Sequence, residues 1–232
     1  MATLPPETMK LHFVPQRAMF ALEFRDPIRG GPVAKGLRVS ADGLRPPALT
    51  PSNRFVWFDR DPPEERWIRV KADSTDGMFA PFEETIRVPA HVAGTTAAAL
   101  TFRRRLRPTG LYEPPPGSIA VGGMLVEDAG PPKPVPGVRI RIQFRYAEGE
   151  ETFRGGYTAF TDSRGGVTAV VGRLGDIRPD PDGKQPGAFE AWLWLKRGSE
   201  VRVSEPMTLR LGRLTRLPAL LKWAELLPPE EQ

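Results

Sequence analysis

Two stretches of the sequence, 102 positions apart, share one order of residues. The first, DPIRGGPVAKGLRV, begins at Asp26, and the second, DAGPPKPVPGVRI, begins at Asp128. Each starts with an aspartate, reaches a Pro-Val pair, passes a glycine and ends in a hydrophobic-Arg-hydrophobic triplet. Asp, Gly and Pro between hydrophobic runs are typical of a turn. The chain is therefore constrained to contain the same strand–turn–strand unit twice.

Hydrophobic residues alternate on both sides of each turn. Phe20, Leu22 and Phe24 precede Asp26, and Met124 and Val126 take the matching places before Asp128. Alternation with a period of two indicates a half-buried strand. Three later pairs of segments match in order: residues 51–58 with 161–171, 66–72 with 189–197, and 84–89 with 207–212. Short strands repeated twice predict two tandem antiparallel β-sandwiches, with a transthyretin-like or immunoglobulin-like arrangement.

The 27 prolines and 23 glycines favour this all-β class, because they interrupt long helices. Parallel sheets would need crossover helices, which the sequence does not supply. The expected organisation is an N-terminal arm, a first domain, a proline-rich linker, a second domain and a C-terminal helical arm. Their boundaries are 1–16, 17–105, 106–117, 118–213 and 214–232. The three prolines at 114–116 favour a stiff, extended spacer over a peptide-recognition motif.

The C-terminal segment RLPALLKWAELLPPEEQ has a residue pattern different from that of the predicted strands. Its leucines recur at helical spacing, Pro218 suits a first turn and Pro228 ends the pattern, so the segment predicts a short helix. A helix of about ten residues is marginal alone in water, so its apolar side chains need a surface. That surface is either their own domain or another subunit. The residues predicted to bind a partner are Leu217, Leu220, Leu221, Trp223 and Leu227.

The segment GGMLVEDAGPPKPVPGVRIRI, followed by TAFTDSRGGVTAVV, resembles the carboxypeptidase-regulatory-like domains. This resemblance implies a seven-stranded, transthyretin-like sandwich and a module without enzymatic activity. It covers residues 118–212, and the matching positions are Asp128, Pro134, Val135, Gly137, Thr161, Asp162 and Gly165. The first half departs from the pattern, because Pro51, Ser52 and Asn53 stand where the Thr-Asp pair is expected.

Candidates for catalysis or metal binding are few. The chain has no cysteine and only two histidines, His12 and His91, which excludes sites built on several such ligands and leaves few options for a catalytic triad. The DPDG segment at 180–183 predicts a turn rather than a calcium loop. Glu148, Glu150 and Glu151 lie in a predicted solvated loop, and Asp162 is predicted to cap its own turn. We therefore expect no enzymatic activity, no metal and no cofactor.

Charge and hydropathy also limit the partners. The net charge of +5 is spread along the chain, and its one cluster, at residues 103–107, lacks the interleaved aromatics of a nucleic-acid groove. No apolar run is long enough to span a membrane, and the N-terminal residues do not read as a signal peptide. We expect a cytoplasmic protein that neither binds nucleic acid nor inserts into a membrane.

The function that these features favour is a structural or adaptor role in a larger assembly. The overall make-up resembles accessory proteins of contractile injection systems, which implies other protein subunits, or further copies of this chain, as partners. The alternative is a carbohydrate-binding module that uses exposed aromatics, with Trp57, Trp67, Trp192 and Trp194 as candidates. Trp192 and Trp194 share one face of a predicted strand, where packing in the core is the favoured role.

Overall fold

The first half of the chain forms two largely antiparallel sheets around one hydrophobic cluster. The computed structural model describes residues 17–59, 65–90, 100–127, 131–145, 153–173, 188–217 and 220–229. The strands of this half are β1 (Arg17–Arg25), β2 (Pro32–Val33), β3 (Leu37–Ala41), β4 (Ala48–Leu49), β5 (Phe55–Asp59), β6 (Arg66–Ser74), β7 (Phe82–Val88) and β8 (Thr101–Arg105). One sheet has the order β2-β1-β5-β4, with β8 parallel to β1, and the other has the order β3-β6-β7. Phe20 and Phe24 of β1 meet Val70 and Ile86 of the second sheet in the core.

The second half of the chain likewise forms two sheets around one hydrophobic cluster. Its strands are β9 (Ser118–Val126), β10 (Arg139–Arg145), β11 (Phe153–Phe160), β12 (Gly166–Arg173), β13 (Ala188–Arg197), β14 (Glu200–Val203), β15 (Met207–Arg210), β16 (Leu214–Arg216) and β17 (Leu221–Lys222). One sheet has the order β11-β10-β13-β14, with β15 also on β13. The other has the order β12-β9-β16, with β17 also on β9. Ile119 and Leu125 of β9 meet Ile140 and Leu193 of the first sheet in the second core.

The strand pairing repeats between the halves. β1 lies between antiparallel β5 and parallel β8, and β9 lies between antiparallel β12 and parallel β16. Likewise, β6 lies between β3 and β7, as β13 lies between β10 and β15. Gly36 and Gly137, the glycines of the repeated motif, both take left-handed backbone, with φ of 80° and 74°. The all-β class is confirmed; Asp128 lies outside the described residues, so its equivalence to Asp26 stays a prediction.

The predicted C-terminal helix is wrong. Residues 214–216 and 221–222 are short strands parallel to β9, and the helical element is a single 3-10 turn, Trp223–Glu225. The extended segment bonds to β9, since the Leu217 amide donates to the Gly122 carbonyl (2.9 Å). Gly123 leaves room for the Leu217 side chain, whose Cδ1 is 2.7 Å from where a Cβ on Gly123 would lie. Backbone bonds to an existing sheet edge replace the costly nucleation of an isolated helix.

The predicted linker, residues 106–117, contacts both halves. The Thr109 hydroxyl donates to the Gly77 carbonyl (2.5 Å) in the first half. The Gly110 amide donates to Asp162 Oδ2 (3.1 Å) in the second half, and the Thr168 hydroxyl donates to the Gly110 carbonyl (3.2 Å). Residues 109–110 therefore join the halves directly, in addition to connecting them along the chain.

Tyr112 fixes the next part of this segment to the first half. Its ring is buried against Phe79, and its hydroxyl donates to Oδ2 of buried Asp26 (2.7 Å). The other carboxylate oxygen, Oδ1, accepts the amides of Ile28 (2.7 Å) and Arg29 (2.9 Å). Burial and the Asp26 carboxylate together raise the pKa of Tyr112 well above its ordinary value.

We expect Tyr112→Phe to lower the free energy of unfolding at pH 7 by about 1–2 kcal/mol, because a buried carboxylate loses one donor. The raised pKa also predicts a pH dependence. Above the ordinary tyrosine pKa of about 10, the unfolded chain loses the proton while the folded chain keeps it, so stability falls as pH rises. Urea titrations between pH 8 and 11, values chosen to bracket that pKa, should show a shallower decline for the variant. Parallel declines would show that Tyr112 does not titrate differently on folding.

Candidate interaction surface

The C-terminal residues predicted to bind a partner are divided between the core and the surface. Trp223 is buried, and Leu217 and Leu221 are partly buried against the second cluster. Leu220 and Leu227 are exposed, at 42% and 53%. Leu227 and Val203 exchange two backbone hydrogen bonds, of 2.8 and 2.9 Å, which attach the segment to β14. The structure thus places much of the segment on its own half, and its binding to a partner stays a prediction.

Trp192 and Trp194 lie on the outer face of β13, not in the core as expected. The core face of this strand carries Phe189, Ala191, Leu193 and Leu195, while the two tryptophans are half-buried. The prediction therefore placed the two tryptophans on the wrong face of the strand. Aliphatic residues together with Phe189 fill the core, which leaves the tryptophans on the opposite side of the pleat.

A row of side chains crosses this sheet on its outer face. Arg141 of β10 lies opposite Trp194, Trp194 lies opposite Val203 of β14, and Val203 lies opposite Leu227. Directly opposed residues of antiparallel strands point to the same face. Trp192, Trp194, Val203 and Leu227 therefore form one apolar surface, here named the tryptophan face.

Arginines border the tryptophan face. The Arg145 guanidinium lies 5.2 Å from the centre of the Trp192 ring, within the range of a cation–π contact. The same guanidinium forms an ion pair with Glu190, at 2.6 Å. Because an arginine lies over Trp192, that ring does not present an open flat surface. Aromatic residues with arginine at the edge are the composition that protein–protein interfaces favour.

The remaining tryptophan candidates differ sharply in exposure. Trp57 is buried and stacks on Phe20 with a ring-centre distance of 4.6 Å, so it belongs to the first core. Trp67 is 67% exposed on the outer face of β6, opposite Arg87 of β7. Among these four tryptophan candidates, Trp67 is the most exposed and the best placed to stack on a sugar.

A groove with a volume of about 650 Å³ lies between the two halves. Its apolar lining includes Phe79 of the first half, Leu111 of the connecting segment, and Met124 and Leu217 of the second half. Leu111 and Met124 are exposed there. Since residues of both halves form its walls, the shape of the groove depends on how residues 109–110 hold the halves together.

Asp162 has the structural role predicted from its motif. Its Oδ1 accepts the amides of Arg164 and Gly166, both at 2.8 Å, which caps the turn before β12. Among the described residues no group of three acidic, histidine or cysteine side chains is placed to hold a metal ion. The predicted turn at 180–183, the glutamates at 148, 150 and 151, and both histidines lie outside the described residues.

Carboxyl groups with shifted pKa values in the described ranges are all shifted downward. They are Glu23, Glu65, Asp76 and Glu127, and the leading cause is a side-chain hydrogen bond from Arg25, Arg87, Ser74 and Arg197 respectively. A general acid needs a raised pKa instead. These four groups are therefore ionised partners of neighbouring donors. In the part of the chain that the structure describes, no helix is long and apolar enough to cross a membrane.

Comparisons with known proteins give weak likenesses only. No protein-family model matches the chain, and no curated protein matches it. Among solved structures it is similar to the Bacillus anthracis TIE protein, at 12% identity and a TM-score of 0.28, over 88% of this chain and 34% of that one. It is also similar to a streptococcal ancillary pilin, at 9% identity and a TM-score of 0.28, over 91% of this chain and 62% of that one. The chain thus spans less than two thirds of either protein, and at these TM-scores the likenesses carry no argument about function.

Proposed function

We propose that this protein is a non-enzymatic structural or adaptor subunit that binds another protein subunit through the tryptophan face. The observation that carries the proposal is the row Arg141, Trp194, Val203 and Leu227, with Arg145 stacked on neighbouring Trp192. Tryptophan and arginine are enriched among the few residues that supply most of the binding energy of protein interfaces. Leu227, predicted from the sequence as a contact residue, becomes part of this face.

The repeated strand pairing supports a building-block role. In this proposal residues 17–105 and 118–213 are two sandwich domains of the transthyretin-like kind, each closed around its own cluster. The hydrogen bonds of Gly110 to Asp162 and Thr168 hold them in a fixed relation, which suits a subunit that must present one surface at a set angle. A contractile injection system is the assembly to test first, because the sequence resemblance points there.

Site-specific photo-crosslinking in the native cell tests the proposed face. Trp192 is replaced by p-benzoylphenylalanine in one strain, and Trp67, on the sheet of the other half, is replaced in a control strain. We expect a discrete covalent adduct with one protein subunit from position 192, reduced by the additional change Leu227→Asp. Adducts from position 67 alone, or from neither position, would contradict the proposal.

The alternative function is carbohydrate binding at Trp67. The observation in its favour is the open ring on a sheet face that also carries Arg69 and Glu83, which form an ion pair at 3.5 Å. A glycan array probed with the full-length protein and with Trp67→Ala distinguishes the two functions. Glycan binding that the substitution abolishes would favour the carbohydrate module, and an array without binding would remove it.

A further inference from the structure

A buried carboxylate lies beneath three arginines on the outer side of β1. Glu23 is only 3% exposed. Arg25 Nε donates to its Oε1 at 2.5 Å, and Arg54 Nε donates to its Oε2 at 2.9 Å. Arg103 Nε lies 3.6 Å from Oε1. The hydrogen bond from Arg25 is the largest influence on Glu23 and lowers its pKa, so the carboxylate is ionised.

Three separate segments bring these arginines together. Arg25 lies two residues beyond Glu23 on the same face of β1. Arg103 lies opposite Glu23 in the parallel pairing with β8, and Arg54 immediately precedes Phe55, which pairs with Leu22. Arg105 lies opposite Arg25 in the same register and is exposed. Four guanidinium groups therefore share one face of the sheet.

The charge of this cluster is not balanced. Other ion pairs of the described residues join one arginine to one carboxylate, as in Arg104 with Glu84 and Arg145 with Glu190. Here one carboxylate faces three arginines, and Arg105 has no ion pair among the described residues. The Nε atoms are directed at Glu23, and within the described residues the terminal amino groups of Arg25, Arg54 and Arg103 have no hydrogen-bond partner.

We propose that Arg25, Arg54, Arg103 and Arg105 form a binding site for a compact oxyanion, supplied by the carboxylates of an acidic peptide segment or by free phosphate. Guanidinium groups bind such oxygens through paired N–H donors. Glu23 holds Arg25 and Arg54 in place through hydrogen bonds and attracts Arg103 before the ligand arrives, which reduces the entropy lost on binding. A single strand of nucleic acid would instead require aromatic side chains for base stacking, and the four residues of the cluster are all arginines.

Binding of a fluorescein-labelled hexaglutamate peptide to the full-length protein, followed by fluorescence anisotropy, tests this site. We expect Arg103→Gln and Arg105→Gln each to weaken binding about tenfold, the size associated with one charge-assisted hydrogen bond. Arg87→Gln is the matched control, because Arg87 is equally exposed, lies on the other sheet of the same half and is paired with Glu65. The Arg87→Gln variant should bind the peptide with the same affinity as the parent protein. Thermal unfolding of each variant verifies that the fold is kept.

Competition by inorganic phosphate identifies the source of the oxyanion. Displacement of the peptide only at phosphate concentrations far above the peptide Kd assigns the site to an acidic segment, and displacement at lower concentrations assigns it to phosphate. Either result supports the oxyanion site if Arg103→Gln weakens binding of the peptide. Equal affinities for Arg103→Gln and Arg87→Gln would overturn the proposal. So would a labelled oligothymidine that binds more tightly than both probes and depends on the same arginines.

Discussion

Replacing Gly165 with alanine is expected to lower the free energy of unfolding by about 4 kcal/mol, because steric overlap adds to left-handed backbone strain. Gly165 has a φ of +75°, and a Cβ there would lie 2.3 Å from the Leu125 carbonyl oxygen and 3.3 Å from the Val135 nitrogen. Both atoms belong to the backbone, and they are joined by a hydrogen bond of 3.0 Å. The methyl group must therefore separate β9 from the turn before β12.

Gly137→Ala provides the matched control for this prediction. Gly137 has nearly the same φ, +74°, but nothing lies within 4 Å of the position of its Cβ. Gly137→Ala should lower the free energy of unfolding by about 1–2 kcal/mol, the cost of the left-handed conformation alone. Urea denaturation followed by tryptophan fluorescence measures both values. Equal losses of unfolding free energy for the two variants would mean that the backbone of β9 moves to accommodate the methyl group without additional cost.

Replacing Gly110 with alanine is expected to loosen the junction between the halves and to cost about 3 kcal/mol through overpacking. A Cβ on Gly110 would lie 2.8 Å from two backbone atoms of Gly166 and 2.9 Å from the Val167 nitrogen. The φ of Gly110 is not left-handed, so the effect is steric alone. Relief of the overlap breaks the hydrogen bonds of Gly110 to Asp162 and Thr168.

Spin labels on the two halves measure this change. The chain has no cysteine, so Ser40→Cys and Thr208→Cys provide a single labelled pair at exposed positions. Electron–electron double resonance should give a broader or displaced distance distribution for Gly110→Ala. Gly31→Ala is the control, since nothing lies within 4 Å of its Cβ position. An unchanged distribution for Gly110→Ala would show that the junction does not depend on this contact.

Local patterns in the sequence predicted the strands and the motif turn. The alternation around Phe20, Leu22 and Phe24 places these residues in the core, and the TDSRGG segment places Asp162 as a cap. Both predictions depend on residues close together in the chain. The matching of segments between the halves agrees with the repeated order of strand pairing, but not residue by residue: Leu22 is buried, whereas Met124, matched to it 102 positions later, is exposed.

Features that depend on distant segments were not predicted. The leucine spacing of residues 217–224 satisfies a helix, but the free side of β9 and the space above Gly123 favour extended chain at residues 214–217 and 221–222. The pattern of β13 shows that Trp192 and Trp194 share a face, yet only the opposing strands show which face is covered. Glu23 alternates with core residues and reads as exposed; its burial requires Arg54 and Arg103 from elsewhere in the sequence.

The parallel pairing within each half joins its first strand to strands near the end of that half. β1 has its parallel partner in β8, so every strand of the first half precedes β9 in the chain. β9 likewise obtains β16 and β17 only after β10 to β15 have been translated. The first cluster also takes in Ala120 of β9 and Val170 of β12. Because the N-terminal part of a chain leaves the ribosome first, we expect the first half to offer part of the surface on which β9 and β12 pack during synthesis.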